Sequence, residues 1–295
     1  MTNIAWVFPG QGSQAVNMGV DLQALPTAQA KLEIAEKILG WSVLDICKGD
    51  KETLGKTLYT QPCLYVIEAI LVDLLQEKTG LPNLVAGHSL GEYIALYAAG
   101  VFDFESGLSL VKKRAELMSQ AAGGKMAAMM KFDRSELENA IAETEGVVLA
   151  NDNSDGQVVI SGTPEAVTKV MSEVKAKRAV ELDVSGAFHS PLMADASAQF
   201  QEILAQVTFN DARIGVMSNV DPTPETVGAA LKERLSAQMT GSVRWREIMA
   251  QFSQQEVTKV VEVGPGKVLA GLVKRACKGI ELTNVGTLEQ LESFS

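Results

Sequence analysis

The sequence predicts an α/β fold in which a smaller domain is inserted into a larger one. Short apolar runs alternate with amphipathic segments along most of the chain, which is typical of a parallel sheet covered by helices. A Gly-x-Ser-x-Gly motif stands between one such run and one such segment, and the pattern changes after Gly123-Gly124. We therefore expect residues 1–124 and 191–295 to form the large domain and residues 125–190 to form the inserted domain.

The composition is that of a soluble globular protein. Of the 295 residues, 46 % are hydrophobic and 21 % are charged, and the net charge of −10 disfavours binding to nucleic acids or anionic membranes. Three scattered cysteines without a Cys-x-x-Cys pair indicate a reducing compartment. The longest apolar stretch, Leu64–Leu75, contains two acidic residues and is too short to span a bilayer, and no signal peptide is recognisable. These features predict a cytoplasmic protein.

The large domain is predicted to begin with a short buried strand that ends at Pro9-Gly10. Proline is favourable in a first helical turn, so Gln61-Pro62 should open a long helix that ends near Glu77. Before the insertion, the patterns predict strands over 4–8 and 84–86 and helices over 28–39, 61–77, 92–99 and 104–120. After the insertion, they predict helices over 191–207, 222–239 and 268–277 and strands over 214–218 and 257–263.

The inserted domain has a pattern of its own. Strands are predicted over 125–131, 147–150, 157–161 and 178–184, and helices over 135–143 and 163–175. The order β-α-β-β-α-β within about 60 residues is that of a ferredoxin-like fold.

Gly87-His88-Ser89-Leu90-Gly91 is the strongest chemical signal in the chain. Between a strand and a helix, this motif forms the sharp turn of an α/β-hydrolase-like domain, with the serine oxygen exposed as a nucleophile. The glycines avoid clashes with neighbouring backbone, and the amide of Leu90 would face a developing oxyanion. A plain Gly-Ser turn is the competing interpretation, but the strand-helix context favours Ser89 as a nucleophile.

A serine nucleophile needs a base, and the chain has only two histidines. His88 directly precedes Ser89, so its side chain should leave the strand in another direction and act as a packing or hydrogen-bonding neighbour. His189 lies in a turn-rich segment, Ser185–Pro191, where the chain leaves the inserted domain. As the one remaining histidine, His189 is the predicted base.

Arg114 lies at the edge of the apolar face of its predicted helix, whereas Lys112 and Lys113 lie on the outer face. A guanidinium turned toward the core is costly unless it is paired. Two interpretations remain open on spacing alone. Arg114 forms either a structural salt bridge with a buried Asp or Glu or a bidentate anchor for a substrate carboxylate.

Two glycine-rich segments match nucleotide-binding motifs only in part. Gly10–Ala15 fits Gly-x-Gly-x-x-Ala, but Pro9 precedes it and the next element is helical where a second strand should come. Gly264–Lys267 lacks the upstream glycine and the Ser/Thr of a P-loop. Histidines and cysteines are too few and too dispersed for a metal site. We therefore expect no metal and no cofactor, and we expect the amides of the first loop to face the site.

Several motifs occur in order over nearly the whole chain. They are Phe8–Gln14 (FPGQGSQ), Thr60-Gln61-Pro62, Gly87–Tyr93 (GHSLGEY), Leu110–Arg114, Gly156–Gly162, Ala187–Ser190, Val243-Arg244-Trp245 and Glu262–Leu269 (EVGPGKVL). In all of these motifs the chain resembles the malonyl-CoA:acyl carrier protein transacylases and the acyltransferase domains of polyketide and fatty acid synthases. Together, and in this order, the motifs are a specific signal.

The resemblance implies a ping-pong transfer of the malonyl group from malonyl-CoA to the phosphopantetheine thiol of acyl carrier protein, which supplies extender units for fatty acid synthesis. Ser89 would attack the thioester with His189 as its base, and the amides of Gln11 and Leu90 would hold the oxyanion. Arg114 would bind the free malonyl carboxylate. Acetyl-CoA would then leave a buried guanidinium unpaired, which gives a route to selectivity.

The same resemblance implies supporting residues. Gln61 would join the hydrogen-bond network at the site, and Asn151 and Asn153 would be polar groups at the domain cleft. A backbone carbonyl would orient the base instead of an aspartate, and we expect this carbonyl to be that of Arg244, where many members have glutamine. The Ala-Phe-His sequence that ends at His189 is similar to malonyl-selective rather than methylmalonyl-selective domains.

Carrier proteins are acidic, as this chain is, so docking would need a local basic patch. Lys112 and Lys113 form one candidate patch, and Lys274, Arg275 and Lys278 form another. Solvated helix faces would show the same pattern. The sequence has no obvious interface signature, so we expect a monomer.

Two other functions are compatible with parts of the sequence. A serine esterase or thioesterase would use the same sharp Gly87–Gly91 turn, which is called the elbow below. Such an enzyme usually carries its catalytic histidine late in the chain, whereas about 100 residues follow His189 here and contain no histidine. A hydrolase also has no need for an inward-facing Arg114. A non-catalytic subunit that binds carrier protein would not need the intact set of Ser89, His189 and Arg114.

Overall fold

Two separate β-sheets organise the chain in the computed structural model, which describes residues 3–121 and 123–294. The larger sheet is parallel throughout. Its strands are β1 (Ile4–Phe8), β2 (Leu84–Gly87), β7 (Gly215–Met217), β8 (Lys259–Val263) and β9 (Glu281–Val285). They lie in the order β7-β2-β1-β8-β9, so the segments that follow the central strands β1 and β2 meet at the carboxyl edge of the sheet.

Helices flank both sheets. Those before the second sheet are α1 (Pro26–Leu39), α2 (Val43–Lys48), α3 (Lys51–Gly55), α4 (Thr57–Thr79), α5 (Gly91–Ala98) and α6 (Phe104–Gln120). Two helices lie along the chain between strands of the second sheet, α7 (Arg134–Ala142) and α8 (Pro164–Glu173). Those after it are α9 (Ala194–Leu204), α10 (Gly228–Ala237), α11 (Trp245–Gln254), α12 (Val268–Ala276) and α13 (Leu288–Ser293).

The smaller sheet is antiparallel and lies between α6 and α9 in the chain. Its strands are β3 (Lys125–Met130), β4 (Val147–Ser154), β5 (Gln157–Gly162) and β6 (Arg178–Glu181), in the spatial order β4-β5-β3-β6. Side chains from α7 and α8 and from one face of this sheet form a hydrophobic cluster of their own. The chain is therefore an α/β protein with a parallel sheet and a separate antiparallel sheet.

Alternate residues of β1 contribute to two different cores. Trp6 and Phe8 pack with α4 on one face of the parallel sheet, whereas Ala5 and Val7 pack with α11 and α12 on the other. Helix α4 is long and apolar enough to cross a membrane by length and composition, but 78 % of its most apolar window is buried inside the protein. That burial is typical of the core helix of a folded domain.

The predicted start of the long helix was wrong. Helix α4 begins at Thr57, and only Lys56 separates it from α3. Pro62 therefore lies inside α4 and not in its first turn. Proline removes one helical N–H, and the carbonyl that loses this partner belongs to Leu58. Because Leu58 is exposed, water can reach the helix there, and the proline is tolerated.

The prediction of one helix over 222–239 was also wrong in its first part. Residues 222–227 are extended because Glu225 exchanges two backbone hydrogen bonds with Val216 of β7. A local pattern cannot show this pairing, since it joins the segment to a strand of the sheet. Sequence analysis also missed several elements outside residues 125–190, namely α2, α3, α11, β9 and α13.

Close backbone approaches shape the turn after β2. A Cβ on Gly91 would overlap the carbonyl oxygen of Phe8 at the end of β1, and a Cβ on Gly87 would overlap the backbone of Gly91. A Cβ on Gly10 would overlap the carbonyl oxygen of His88. Only glycine therefore allows the loop after β1 and the start of α5 to lie against the end of β2.

We expect Gly91→Ala to lower the free energy of unfolding by about 3 kcal/mol, because the backbone of β1 or α5 must move to admit the methyl group. Urea denaturation measures this change. Gly55→Ala is the matched control, since nothing lies within 4 Å of a Cβ at that position. If both variants are as stable as the parent, the turn does not depend on the close approach.

Candidate active site

Ser89 and His189 meet at the carboxyl edge of the parallel sheet. Ser89 lies two residues after the end of β2, and its Oγ lies 2.8 Å from Nε2 of His189. Both residues have left-handed backbone, with φ of 53° at Ser89 and 56° at His189. Such strain in a residue other than glycine is common at functional sites, because the surrounding structure must hold it in place.

Asn219 fixes the turn that carries the serine. Its Oδ1 accepts the N–H of Ser89 at 2.7 Å, and its Nδ2 donates to the carbonyl of Gly87 at 2.6 Å. Asn219 is fully buried and lies two residues after β7. Sequence analysis missed this residue. Its position in the sequence was the available signal, because Asn219 directly follows the strand predicted over 214–218. Polar residues at the carboxyl ends of parallel strands often belong to functional sites.

The ring of His189 is oriented by two backbone carbonyls. Nδ1 lies 3.0 Å from the carbonyl oxygens of both Gln238 and Gly241. Both of these atoms can only accept, so Nδ1 carries the proton and Nε2 is free to accept the hydroxyl proton of Ser89. A backbone carbonyl was predicted, but its assignment to Arg244 was wrong. The carbonyl of Arg244 accepts N–H groups at the start of α11 instead.

The surroundings keep the His189 ring neutral. The side chain is buried, and this burial, followed by the positive charge of Arg114, lowers the pKa of His189 to about 3. The two carbonyls act in the opposite direction but do not compensate. A neutral ring is the form that can take a proton from a serine.

Arg114 reaches the nucleophile from α6. Its side chain is 1 % exposed, and its Nη2 donates to Ser89 Oγ at 2.9 Å. No Asp or Glu oxygen lies within 4.0 Å of the guanidinium in residues 3–121 and 123–294, so the salt-bridge interpretation does not hold there. Its Nε has no hydrogen-bond partner in the same part of the chain. A buried cation with a free donor beside a nucleophile suits a substrate carboxylate.

Two glutamines hold the guanidinium in place. Oε1 of Gln61 accepts from Nη1 of Arg114 at 2.8 Å, and Oε1 of Gln238 accepts from Nη2 at 3.1 Å. Gln61 was among the predicted site residues, whereas Gln238 was not. No sequence signal marks Gln238, because it lies at the end of a helix that was predicted from periodicity alone.

The two backbone amides predicted to hold the oxyanion have no partner in the described residues. The N–H groups of Gln11 and Leu90 form no hydrogen bond there, although Leu90 is fully buried. The side chain of Gln11 is held by Thr57, since Nε2 lies 3.1 Å from Thr57 Oγ1. A Cβ on Gly10 would lie 3.6 Å from the backbone nitrogen of Leu90, so the loop that carries Gln11 packs against the turn that carries Ser89. Both N–H groups are therefore available to an oxyanion, as the resemblance predicts.

The antiparallel sheet contributes one side chain to the elbow. Nε2 of His88 lies 2.7 Å from Oδ1 of Asn153 in β4, and the His88 ring packs against Trp245 at 5.6 Å between centroids. His88 is therefore directed away from Ser89. Asn151 was also predicted to support the site, but its Oδ1 contacts no described hydrogen-bond partner. Its backbone instead pairs with Val243.

The basic residues considered for carrier docking lie apart from one another. Nζ of Lys112 donates to the carbonyl of Ile38 at 2.8 Å, and Lys113 lies 3.6 Å from Glu116. Helix α12 leaves the carboxyl edge at Val268 and brings Lys274 and Arg275 to its far end, about 10 Å along its axis. The two groups of basic residues thus lie on different helices, α6 and α12.

Comparisons with known proteins agree with this geometry. Residues 5–291 match the family model of the acyl transferase domain. The chain is 59 % identical over 290 residues to the malonyl CoA-acyl carrier protein transacylase of Synechocystis sp., covering 98 % of this chain and 99 % of that protein.

Solved structures give the same result. The crystal structure of the Synechocystis malonyl-CoA:ACP transacylase is similar with a TM-score of 0.98 and 58 % identity, covering 99 % of this chain and 100 % of that one. A malonyl-transacylase solved in complex with its type II PKS acyl-carrier protein is similar with a TM-score of 0.94 and 36 % identity, covering 99 % and 98 %.

The lowered pKa of His189 predicts a flat pH profile for the reactivity of Ser89. A histidine with a pKa of about 3 stays neutral between pH 5 and 8, so the rate of Ser89 modification by phenylmethylsulfonyl fluoride should change by less than about twofold over this range. A base with an ordinary pKa near 6.5 would lose activity roughly thirtyfold at pH 5.

Arg114→Ala is the informative companion variant. Removal of a positive charge favours protonation of the ring, so the pKa of His189 should rise and the acid limb should move to higher pH. An acid limb near pH 6.5 in the parent protein would contradict the assignment of a buried, neutral base.

Proposed function

The chain belongs to the acyl transferase domain family, and on this premise we propose that it transfers the malonyl group of malonyl-CoA to the phosphopantetheine thiol of an acyl carrier protein, through a malonyl-serine intermediate on Ser89. The reaction supplies extender units for fatty acid synthesis. The named relatives support both substrates, because they are malonyl CoA-acyl carrier protein transacylases and one of them is solved with its acyl-carrier protein.

The buried guanidinium of Arg114 is the observation that carries this proposal. It contacts the nucleophilic oxygen directly, at 2.9 Å, and no described carboxylate oxygen lies within 4.0 Å of it. A malonyl group has a carboxylate on the carbon next to the thioester carbonyl. The site therefore matches an acyl group that places one negative charge beside the atom under attack.

Acylation begins with the hydroxyl of Ser89, which points at Nε2 of His189. As Oγ attacks the thioester carbonyl, its proton passes to Nε2. The negative charge that develops on the carbonyl oxygen is held by the amides of Gln11 and Leu90. When the tetrahedral intermediate collapses, the carbon–sulfur bond breaks, and the CoA thiolate takes the proton from His189.

Substrate binding helps the base. The positive charge of Arg114 is the second cause of the low pKa of His189. A malonyl carboxylate on Arg114 cancels part of that charge, so the ring becomes more basic when the correct acyl group is bound. Acetyl-CoA lacks the carboxylate and leaves both the guanidinium unpaired and the base weak.

The second half of the reaction repeats these steps in reverse. The phosphopantetheine thiol gives its proton to His189, and its sulfur attacks the malonyl-serine carbonyl. The same two amides hold the oxyanion, and Ser89 leaves with the proton from the ring. The free enzyme is restored, and the malonyl group is a thioester of the carrier protein.

We further propose that residues 1–124 and 191–295 form an α/β-hydrolase-like domain and that residues 125–190 form a ferredoxin-like insertion. The strand-turn-helix geometry of the elbow supports the first assignment. The order of the antiparallel strands supports the second, because renumbered within the insertion it reads 2-3-1-4. All three cysteines are free thiols, which supports a cytoplasmic location.

Intact mass spectrometry after separate incubation with malonyl-CoA and acetyl-CoA tests the proposal. Malonyl-CoA should give a stable malonyl adduct on the parent protein and none on Ser89→Ala. Arg114→Ala should form the malonyl adduct at least about tenfold more slowly and should keep or gain the acetyl adduct. Lys113→Ala, one residue away on the outer face, should behave as the parent does.

Each alternative function has a distinct outcome. Release of free CoA from malonyl-CoA without an adduct or a thiol acceptor would identify a hydrolase. Absence of both adduct and CoA release, with carrier-protein binding intact, would identify a non-catalytic binding subunit. An Arg114→Ala variant that loses malonyl and acetyl transfer equally would overturn the role of the guanidinium as carboxylate anchor.

A further inference from the structure

Gln238 contacts the serine, the histidine and the arginine of the site. Its main-chain carbonyl orients His189, while its side-chain amide reaches Arg114, the carbonyl of Ser89 and the carboxylate of Glu92. We propose that the Gln238 side chain is a positioning residue that makes the site selective for acyl groups carrying a carboxylate. This inference rests on the proposed function, since it concerns how the malonyl group is distinguished from the acetyl group.

The orientation of the Gln238 amide follows from its surroundings. Nε2 lies 2.8 Å from the carbonyl oxygen of Ser89 and 2.7 Å from Oε2 of Glu92, and both of these atoms accept. Oε1 lies 3.1 Å from Nη2 of Arg114, which can only donate. A flipped amide would set donor against donor and acceptor against acceptor. The oxygen of Gln238 must therefore face the guanidinium.

Glu92 maintains this orientation from the far side. It is fully buried, and its Oε2 accepts the backbone N–H of Asn219 at 3.1 Å as well as the amide of Gln238. It contacts Arg114 only through Gln238, since no ion pair within 4.0 Å joins the two in the described chain. The buried Glu92 thus holds the amide whose oxygen faces the guanidinium.

The guanidinium needs this amide to face the cleft. Gln61 holds Nη1 at 2.8 Å, and Gln238 holds Nη2, so the two oxygens together fix the plane of the group. Nη2 then contacts Ser89 Oγ, and Nε has no partner in the described residues. Without the Gln238 oxygen, Nη2 keeps only its contact with Ser89 Oγ, the atom that reacts, and Gln61 is the one amide that still fixes the guanidinium beside the Tyr93 ring.

The two ends of Gln238 have separable roles. The carbonyl that orients His189 belongs to the main chain and is retained in any substitution. The contact with Arg114 belongs to the side chain. Replacement of the side chain therefore affects the recognition of the carboxylate and spares the base, which predicts different effects on malonyl-CoA and acetyl-CoA.

Gln238→Met tests this inference, because methionine has a similar length and no hydrogen-bonding amide. Steady-state kinetics should show KM for malonyl-CoA raised about tenfold, with kcat changed by less than about threefold. kcat/KM for acetyl-CoA should stay within about threefold of the parent value. Gln201→Met, on the exposed surface of α9, is the matched control and should leave both substrates unaffected.

A melting curve accompanies each variant. If Gln238→Met does not fold, Gln238→Asn takes its place, since it keeps an amide that is one methylene too short to reach both Glu92 and Arg114. An equal loss with both substrates in folded protein would show a structural role and overturn the inference, as would an unchanged KM for malonyl-CoA. Absence of a malonyl adduct on the parent Ser89 would instead overturn the proposed function itself.

Discussion

The approach of three backbone segments at the end of β2 is the constraint on which the rest of the site depends. Gly87 and Gly91 let the first turn of α5 lie against the end of β1, at a separation that no side chain permits. This contact forces Ser89 into left-handed backbone and directs its hydroxyl out of the sheet. It also brings the loop after Phe8 beside the turn that carries Ser89, so that Gly10 lies against the backbone of His88 and Leu90.

Charge is distributed sparingly around the nucleophile. The base is oriented by two neutral carbonyls rather than by an aspartate, and the amides of Gln61 and Gln238 hold the guanidinium. Arg114 is thus the one formal charge in direct contact with Ser89 among the described residues. An aspartate on His189 would stabilise a protonated ring, but it would also repel a substrate carboxylate in the same small pocket. The neutral arrangement avoids that conflict.

The antiparallel sheet is coupled to the catalytic edge by backbone as well as by side chains. Strand β4 pairs with Val243. Two residues earlier, Gly241 supplies one of the two carbonyl oxygens that face His189. From the same strand, Asn153 contacts the ring of His88. Asp152 of β4 accepts from Arg246 of α11 at 2.9 Å, which joins the antiparallel sheet to a helix that packs on the parallel sheet. The position of the smaller sheet is therefore transmitted directly to the segment that orients the base.

The sequence by itself determined the residues whose chemistry depends on local context. Ser89 could be identified because a strand, a glycine turn and a helix follow one another within a few residues. His189 followed from the scarcity of histidine, and the inward position of Arg114 followed from helical periodicity. The element order of the insertion could be predicted for the same reason, since each strand and helix has its own local pattern.

Only the tertiary structure decided how these residues are held. Asn219 and Gln238 lie more than a hundred residues from the serine, and their roles depend on hydrogen bonds across the sheet edge that no local pattern encodes. The carbonyl assigned to Arg244 proved to belong to Gln238 and Gly241, because Arg244 begins a helix and its own carbonyl is used there. Side-chain chemistry is present in the sequence, whereas the choice among many identical backbone carbonyls depends on where the folded chain places them.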